Sequence, residues 1–168
     1  MNIPAKTDTI DQYAFFNNQK RNTPIVFPAG LKIIGNCAFQ HNYLLPSVTF
    51  NDGLEKIGEY AFYDCHLIEE AVLPESVTSL GNDVFYRCDS LRQFKFPSAI
   101  KEVPNSFLGS CGSLERVTLA PGTTKIGWAV FDHCNKLSEI NLNEQDKLTM
   151  IDSYGFAYTA FTHIVLQA

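Results

Sequence analysis

A repeat of 23 residues runs through most of the chain and constrains its fold more than any other feature. An apolar residue followed by glycine or a substitute marks each repeat at 34–35, 57–58, 80–81, 103–104 and 126–127, and a sixth pair at 151–152 follows after two extra residues. The columns behind these anchors also align, and a cysteine recurs at Cys65, Cys88, Cys111 and Cys134. Repeats of this length bury their apolar residues by stacking on one another, so the sequence predicts a solenoid.

Each repeat contains one segment with the alternation of a half-buried strand. Its last residues alternate apolar and polar with period two, and equal spacing would stack these strands as a parallel sheet. The predicted strands are 47–50, 70–73, 93–96, 116–119, 139–142 and 163–166. The segment between the anchor and the cysteine is too short for a full helix, and we expect one helical turn there. The anchor glycine serves either a positive φ, which Pro104 cannot adopt, or close packing.

The consensus I-G-x-x-A-F-x-x-C-x-x-L-x-x-I-x-L-P-x-x-V-x-x-I resembles the BspA-like class of leucine-rich repeats. The resemblance covers about residues 30–166, with Asn42 and Thr159 replacing cysteine and Pro104 and Asp152 replacing glycine. It implies an α/β solenoid with parallel strands on one face and short helical turns or irregular segments opposite. It also implies a bacterial or protozoan protein at the cell surface or secreted, and a non-catalytic role in protein binding or adhesion.

The two ends of the chain depart from the consensus. Residues 1–30 match it only in part, and we interpret them as an atypical N-terminal capping segment before a single solenoid domain of about six repeats over 31–168. Residues 163–166 are followed by no polar cap, which would leave a strand edge exposed. The expected consequence is self-association through the C-terminal repeat, or continuation in a longer array. A structural spacer or self-assembly unit acting through that edge is therefore the alternative function.

Composition excludes several classes of partner. The net charge is −5, so neither a nucleic-acid footprint nor a polybasic membrane patch is expected. With 45% apolar residues the chain is not expected to be disordered. No apolar run is long enough to span a membrane, and the first residues lack the apolar core of a signal peptide.

No pattern in the sequence favours an enzyme. The four histidines do not converge on one place in the repeat array, and no nucleophile, phosphate-loop or metalloprotease motif is present. The cysteine column could form a thiol ladder that binds a soft metal or becomes cross-linked. Alternatively it fills a small buried slot that faces the backbone, where Asn42 also fits; we favour this interpretation, with no cofactor and no metal. Cys37 lies off the column and is expected in a partly exposed turn.

The solvent-facing side of the predicted strands, here called the front face, is where curved solenoids usually bind. It carries a strip of charged residues, which is either a solvated surface with cross-repeat ion pairs or a docking strip for a protein or glycan ligand. The candidate binding residues are Glu70, Arg92, Lys95, Arg116 and Glu139.

Aromatic residues gather elsewhere, in the turns that follow the anchors. Tyr63 and Tyr86 occupy one column in adjacent repeats, and Trp128 lies in a comparable turn. Exposed rings of this kind can anchor a protein or a sugar. They can equally pack over the turn of the next repeat.

Overall fold

The computed structural model describes residues 3–20 and 22–162, and it is a solenoid of about six turns built from short parallel strands. Twelve strands and one short 3-10 helix alternate with turns. In chain order they are β1 (Thr9–Ile10), β2 (Ile25–Val26), β3 (Ile33–Ile34), β4 (Val48–Thr49), β5 (Lys56–Ile57), β6 (Ser79–Leu80), β7 (Gln93–Lys95), β8 (Glu102–Val103), β9 (Arg116–Thr118), β10 (Lys125–Ile126), β11 (Glu139–Ile140), the 3-10 helix (Leu142–Glu144) and β12 (Met150–Ile151).

The strands form two parallel ladders. The front ladder contains the predicted strands, in two pieces: β2 pairs with β4, and β7, β9 and β11 pair in that order. The anchor ladder runs beside it and was not predicted, because each of its strands has only two residues and shows no alternation. It also has two pieces, with the order β1-β3-β5-β6 and β8-β10-β12. Both pairings extend to β1 and β2, so these two strands stack on the next repeat, while the role of residues 1–30 as a cap stays a prediction.

The segment after each anchor is not the helical turn we expected. Two positions in every such segment have a positive φ, as at Tyr60 (+56°) and Asp64 (+58°), and this breaks any helical path. Alternate amides point to the following repeat instead: Tyr60, Phe62 and Asp64 donate to the carbonyls of Asn82, Val84 and Tyr86 at 2.9–3.0 Å. We call this arrangement the turn ladder. The one 3-10 helix lies where two residues are inserted between the last two repeats.

The anchor glycines serve close packing. Among the glycines in the described residues only Gly122 has a positive φ, so conformational freedom does not explain the column. A Cβ atom added to Gly81 would lie 2.7 Å from the Cα of Glu59 in the preceding repeat, which is closer than packed atoms tolerate. The short distance between successive anchors therefore selects glycine.

The core follows the repeat columns. The phenylalanine column is fully buried at Phe39, Phe62, Phe85 and Phe131. Successive rings stack in the first repeats, with centroids 5.3 Å apart for Phe39 and Phe62 and 5.4 Å apart for Phe62 and Phe85. This column, continued by Phe156 in the last repeat, holds five of the 13 phenylalanines of the chain.

Both ladders are interrupted near the third repeat. The anchor ladder stops between β6 and β8, where Pro104 replaces the glycine whose amide donates to the preceding repeat; Gly127, for comparison, donates to Val103 at 3.0 Å. Proline has no N–H, so the carbonyl of Leu80 receives no such bond.

The front ladder stops because the strand predicted over 70–73 does not form. We attribute this to the inward column, which places the small Ala71 beside the large ring of Phe94 and gives the segment little apolar surface to hold it in register. The strand predicted over 163–166 lies outside the described residues.

The packing role of the anchor glycines can be tested with two substitutions. Gly81→Ala should lower the free energy of unfolding by about 1–3 kcal/mol, because the new methyl group meets backbone atoms of Glu59. Gly112→Ala is the control, since a Cβ there has nothing within 4 Å, and it should stay within about 0.5 kcal/mol of the parent. Chemical denaturation followed by circular dichroism measures both. Equal stability of the two variants would contradict the packing explanation.

Candidate binding site on the front face

The interruption of the front ladder leaves the backbone of residues 70–73 unpaired with the neighbouring front strands. Elsewhere the ladder is closed by bonds such as those from the amide of Phe27 to the carbonyl of Thr49 (3.0 Å) and from Phe96 to Thr118 (2.9 Å). Within the described part of the chain, no backbone hydrogen bond joins residues 70–73 to the front segment of either neighbouring repeat. The segment therefore stands between two repeats without pairing to them.

Two grooves flank this unpaired segment. The larger, about 510 Å³, lies toward β7 and β9, and the smaller, about 440 Å³, lies toward β4. They share Glu70, Val72 and Pro74 as a common wall. Val72 points outward with 68% of its surface exposed, so the wall carries an apolar ridge. Together the grooves form a continuous concave surface across four repeats.

The predicted charged strip lies partly in these grooves. Glu70, Lys95 and Arg116 line the larger one, whereas Arg92 and Glu139 are exposed nearby and line neither. Of the expected cross-repeat ion pairs, Arg116 and Glu139 form one, with 2.7 Å between Nε and Oε2. No pairing of Arg92 with Glu69 or Glu115 appears among the described residues. An ion pair that the sequence did not indicate joins Lys95 to Glu75 at 3.5 Å.

The electrostatics of the larger groove favour fixed charges over proton transfer. Hydrogen bonding to Arg116 lowers the pKa of Glu139, and the same contact raises the pKa of Arg116. The backbone amide of Ser98, at 2.8 Å, lowers the pKa of Glu75. These groups are therefore ionised near neutral pH and present both signs of charge to a ligand. Such a surface can hold a polar partner by ion pairs and hydrogen bonds around an apolar centre.

The three aromatic candidates lie on the turn ladder, away from the front face. Tyr63 and Tyr86 are half-buried and stack with centroids 5.1 Å apart. The ring of Tyr86 covers Gly109 of the next repeat, where an added Cβ would lie 2.8 Å from the ring. Trp128 is exposed and meets Tyr154 edge-on at 6.2 Å. Tyr63 and Tyr86 thus pack against each other and over the next repeat, Trp128 presents its ring to solvent, and a binding role for the three residues stays a prediction.

A comparison with protein families finds a family of repeats that matches the whole chain. The family described as "BspA type Leucine rich repeat region (6 copies)" matches residues 1–109 and 56–168. The chain belongs to this family. The comparison with curated proteins gives no match.

Solved structures of other leucine-rich repeat proteins share the fold. A leucine-rich repeat protein of T. pallidum has 27% identity and a TM-score of 0.82, covering 90% of this chain and 72% of its own. One from Bacteroides ovatus has 22% identity and a TM-score of 0.74, covering 95% of this chain and 46% of its own. A leucine rich cell surface protein of Faecalibacterium prausnitzii has 25% identity and a TM-score of 0.72, covering 96% and 49%. This chain therefore spans about half the length of the latter two. Within the described residues, no helix is long and apolar enough to cross a membrane.

The cysteine column of this BspA-type repeat fills a buried slot facing the backbone. The thiols of Cys65, Cys88 and Cys111 donate to the carbonyls of Phe39, Phe62 and Phe85 at 3.2–3.4 Å. Asn42 occupies the same column and donates from Nδ2 to the Phe39 carbonyl at 2.7 Å. Across the described ranges, no group of histidine, cysteine or acidic side chains could hold a metal ion.

Cys37 is buried, which corrects the expectation of a partly exposed turn residue. Only 8% of its surface is exposed, and the hydroxyl of Tyr13 contacts its thiol. Burial raises the pKa of the Cys37 thiol.

Two departures from the BspA-type consensus mark the two breaks in the strand ladders, and the first of them carried the signal for the grooves. Ala71 is the smallest residue in the inward column of the front strands, and Pro104 removes an amide from the anchor column. Either irregularity breaks a ladder that the other repeats maintain. Val72 and Glu75 were not among the predicted site residues, because their place beside the grooves follows from the unpaired segment at 70–73.

The state of the cysteines gives a direct test of the buried slot. Burial raises the pKa of Cys134 to about 12, so at pH 8 it is a neutral thiol, and burial acts the same way on the other three in the column. We expect these four thiols to be unreactive toward Ellman's reagent in the folded protein, and all five to react after unfolding without reductant.

If one thiol of the folded protein reacts slowly with Ellman's reagent, a Cys37→Ser variant shows whether that thiol belongs to Cys37. Ser106 occupies the same column with a φ of +50°, against +55° at Cys37, so serine fits this backbone. Reaction of fewer than five thiols after unfolding would contradict the assignment of free cysteines.

Proposed function

We propose that this BspA-type protein is a non-catalytic recognition module that binds a protein or glycan ligand on its front face. The observation that carries the proposal is the interruption at residues 70–73, which opens two adjoining grooves beside Glu70, Lys95 and Arg116. Contiguous apolar surface rimmed by charge is the usual form of a binding site on a repeat protein. The ligand would contact the apolar ridge at Val72 and the fixed charges around it.

The chemistry of the grooves supports recognition over catalysis. Among the described residues neither lining includes a histidine or a cysteine, and hydrogen bonds lower the pKa of the carboxylates of Glu75, which lines the larger groove, and Glu139, which contacts Arg116 beside it. Catalysis by general acid and base requires a group whose pKa lies near the working pH. The lining residues instead offer charge, hydrogen bonds and apolar contact.

A location at the cell surface is part of the proposal. It draws on the Faecalibacterium prausnitzii relative, which is described as a leucine rich cell surface protein and has the same fold over 96% of this chain. An adhesion-type role follows from that location together with an exposed binding face. The fold alone does not determine the function, so this step needs its own experiment.

The proposal is tested by a binding screen against immobilised extracellular-matrix proteins and glycans. The parent is compared with a front-face variant in which Arg92, Lys95 and Arg116 are each replaced by glutamate. The control variant carries Lys20→Glu, Lys56→Glu and Lys136→Glu, three exposed positions off the grooves, and so has the same total charge. Circular dichroism and thermal unfolding check that both variants fold.

We expect a ligand whose affinity falls about tenfold in the front-face variant and stays within about twofold in the control, since each exposed charge contributes a few tenths to 1 kcal/mol. An affinity retained in the front-face variant would place the site elsewhere, with Tyr63, Tyr86 and Trp128 as the next positions. An absence of any ligand, with concentration-dependent sedimentation, would favour the self-assembly alternative through the C-terminal repeat.

A further inference from the structure

A connected network of aromatic rings covers the turn ladder of the first repeats. Phe16 contacts Tyr13 and His41 with ring centroids 5.7 and 5.4 Å apart, and His41 contacts Tyr63 at 5.7 Å. Further aromatic rings extend this row of contacts from His41 and from Tyr63, with ring centroids 5.1–5.7 Å apart. Its full membership, which we call the ring patch, is Tyr13, Phe16, His41, Tyr43, Tyr60, Tyr63, His66 and Tyr86.

The fold does not require rings at these positions. The repeats share one backbone, so each column compares a residue of the ring patch with its equivalents in later repeats. The column of Tyr60 continues as Asp83, Ser106 and Ala129, that of Tyr63 and Tyr86 as Gly109 and Asp132, and that of Tyr43 and His66 as Asp89, Gly112 and Asn135. The turn ladder is intact in those repeats, with Ser106, Leu108 and Ser110 still donating to the next repeat at 2.6–3.1 Å.

The ring patch is open to solvent. Tyr13 is 56% exposed, and Phe16, Tyr43 and Tyr60 are between 36% and 42% exposed. Two exposed leucines, Leu44 and Leu67, adjoin Tyr43 and His66 in the sequence and extend the apolar surface. Contiguous exposed apolar surface on a folded domain indicates an interaction site, and exposed tyrosine is enriched at such sites.

Two acidic residues beside Tyr60 take part in no ion pair within the described residues. Asp64 is balanced by Arg87 at 3.2 Å and contacts His41 at 2.9 Å, and Asp89 contacts His66. The two acids beside Tyr60 that have no such partner in the described ranges are Glu59 and Asp83. Both carboxylates lie close enough to Tyr60 to raise the pKa of its hydroxyl.

These two acids also interact with each other. Burial, followed by repulsion from the nearby carboxylate of Glu59, raises the pKa of Asp83 to about 6. A cation placed between them would relieve this repulsion. The face of an aromatic ring attracts the same kind of group.

We propose that the ring patch docks a basic segment of a protein partner, with a lysine or arginine side chain placed between Glu59 and Asp83 and over the ring of Tyr60. The remaining rings supply apolar contact for the aliphatic stems and neighbouring residues of that segment. This surface is separate from the front-face grooves, so the chain presents two sites with different chemistry.

The probe is an acetylated and amidated octalysine peptide, titrated calorimetrically at pH 7.5 in 150 mM salt. The acid pair is removed by Glu59→Gln with Asp83→Asn. Its control is Glu102→Gln with Asp146→Asn, two exposed acids away from the rings that change the net charge by the same amount. This control separates a local site from general attraction to an acidic protein.

The contribution of the ring is tested by Tyr60→Asn. Its control is Tyr154→Asn, because Tyr154 occupies the same column with a φ of +61° and is 61% exposed. Asparagine tolerates a positive φ, so both variants keep the backbone conformation. Thermal unfolding confirms that they fold.

We expect the acid-pair variant to bind octalysine at least about fivefold more weakly and Tyr60→Asn about two- to fivefold more weakly, with both controls within about twofold of the parent. Equal weakening in the charge control would show non-specific attraction and overturn the proposal. It would also be overturned if the parent does not bind octalysine, or if it binds octaglutamate as tightly. Self-association that is lost in Tyr60→Asn would show a second copy as the occupant and would likewise overturn it. The front-face variant should bind octalysine like the parent, which keeps this test independent of the proposed front-face function.

Discussion

The structure depends on the backbone hydrogen bonds of the turn ladder. Where the anchor ladder stops, between the third and fourth repeats, the amides of Asp83, Phe85 and Arg87 still donate to the next repeat at 2.9–3.0 Å. The turn ladder is equally intact in the second repeat, where the front ladder stops. These bonds involve only main-chain atoms and hold the repeats at constant spacing. The phenylalanine and cysteine columns pack beneath them, and the strands on the other sides are free to break. Because the turn ladder holds the repeats together without the front ladder, the front ladder can be interrupted and the grooves of the front face can form.

The sequence was sufficient for the architecture because the repeat imposes the same packing problem at every turn. The phenylalanine column, the buried cysteine slot and the four front strands at β4, β7, β9 and β11 all follow from column identity. The anchor ladder was missed because its two-residue strands carry no alternation. The turn ladder was missed because its positive-φ positions hold residues such as Tyr60 and Arg87, which no propensity places there. Stacking on neighbouring repeats compels that conformation.

The candidate sites were harder to predict than the fold, for a physical reason. The charged strip could be located from alternation, yet which of its members meet in a groove depends on the unpaired segment at 70–73. We attribute the unpaired segment to the difference in size between Ala71 and its neighbour Phe94. That difference matters only once the two residues are known to lie side by side, so the repeat pattern did not predict its effect. For the ring patch, the sequence shows the individual aromatic residues, whereas their contacts across repeats become apparent only in the structure. Sites on this scaffold arise where the columns depart from their own pattern.

The direction of the turn-ladder bonds has a consequence for how such arrays vary in length. In every repeat the donors face the following repeat and the acceptors face the preceding one, whatever side chains are present. Any 23-residue unit can therefore be joined to any other through the same three bonds, and duplication or loss of a whole unit leaves every junction complete. Relatives that share this fold while being up to about twice as long fit this modular growth. Duplication of a unit copies the scaffold intact, whereas an irregular neighbourhood such as the one around Ala71 and Pro104 must arise afresh by point substitution.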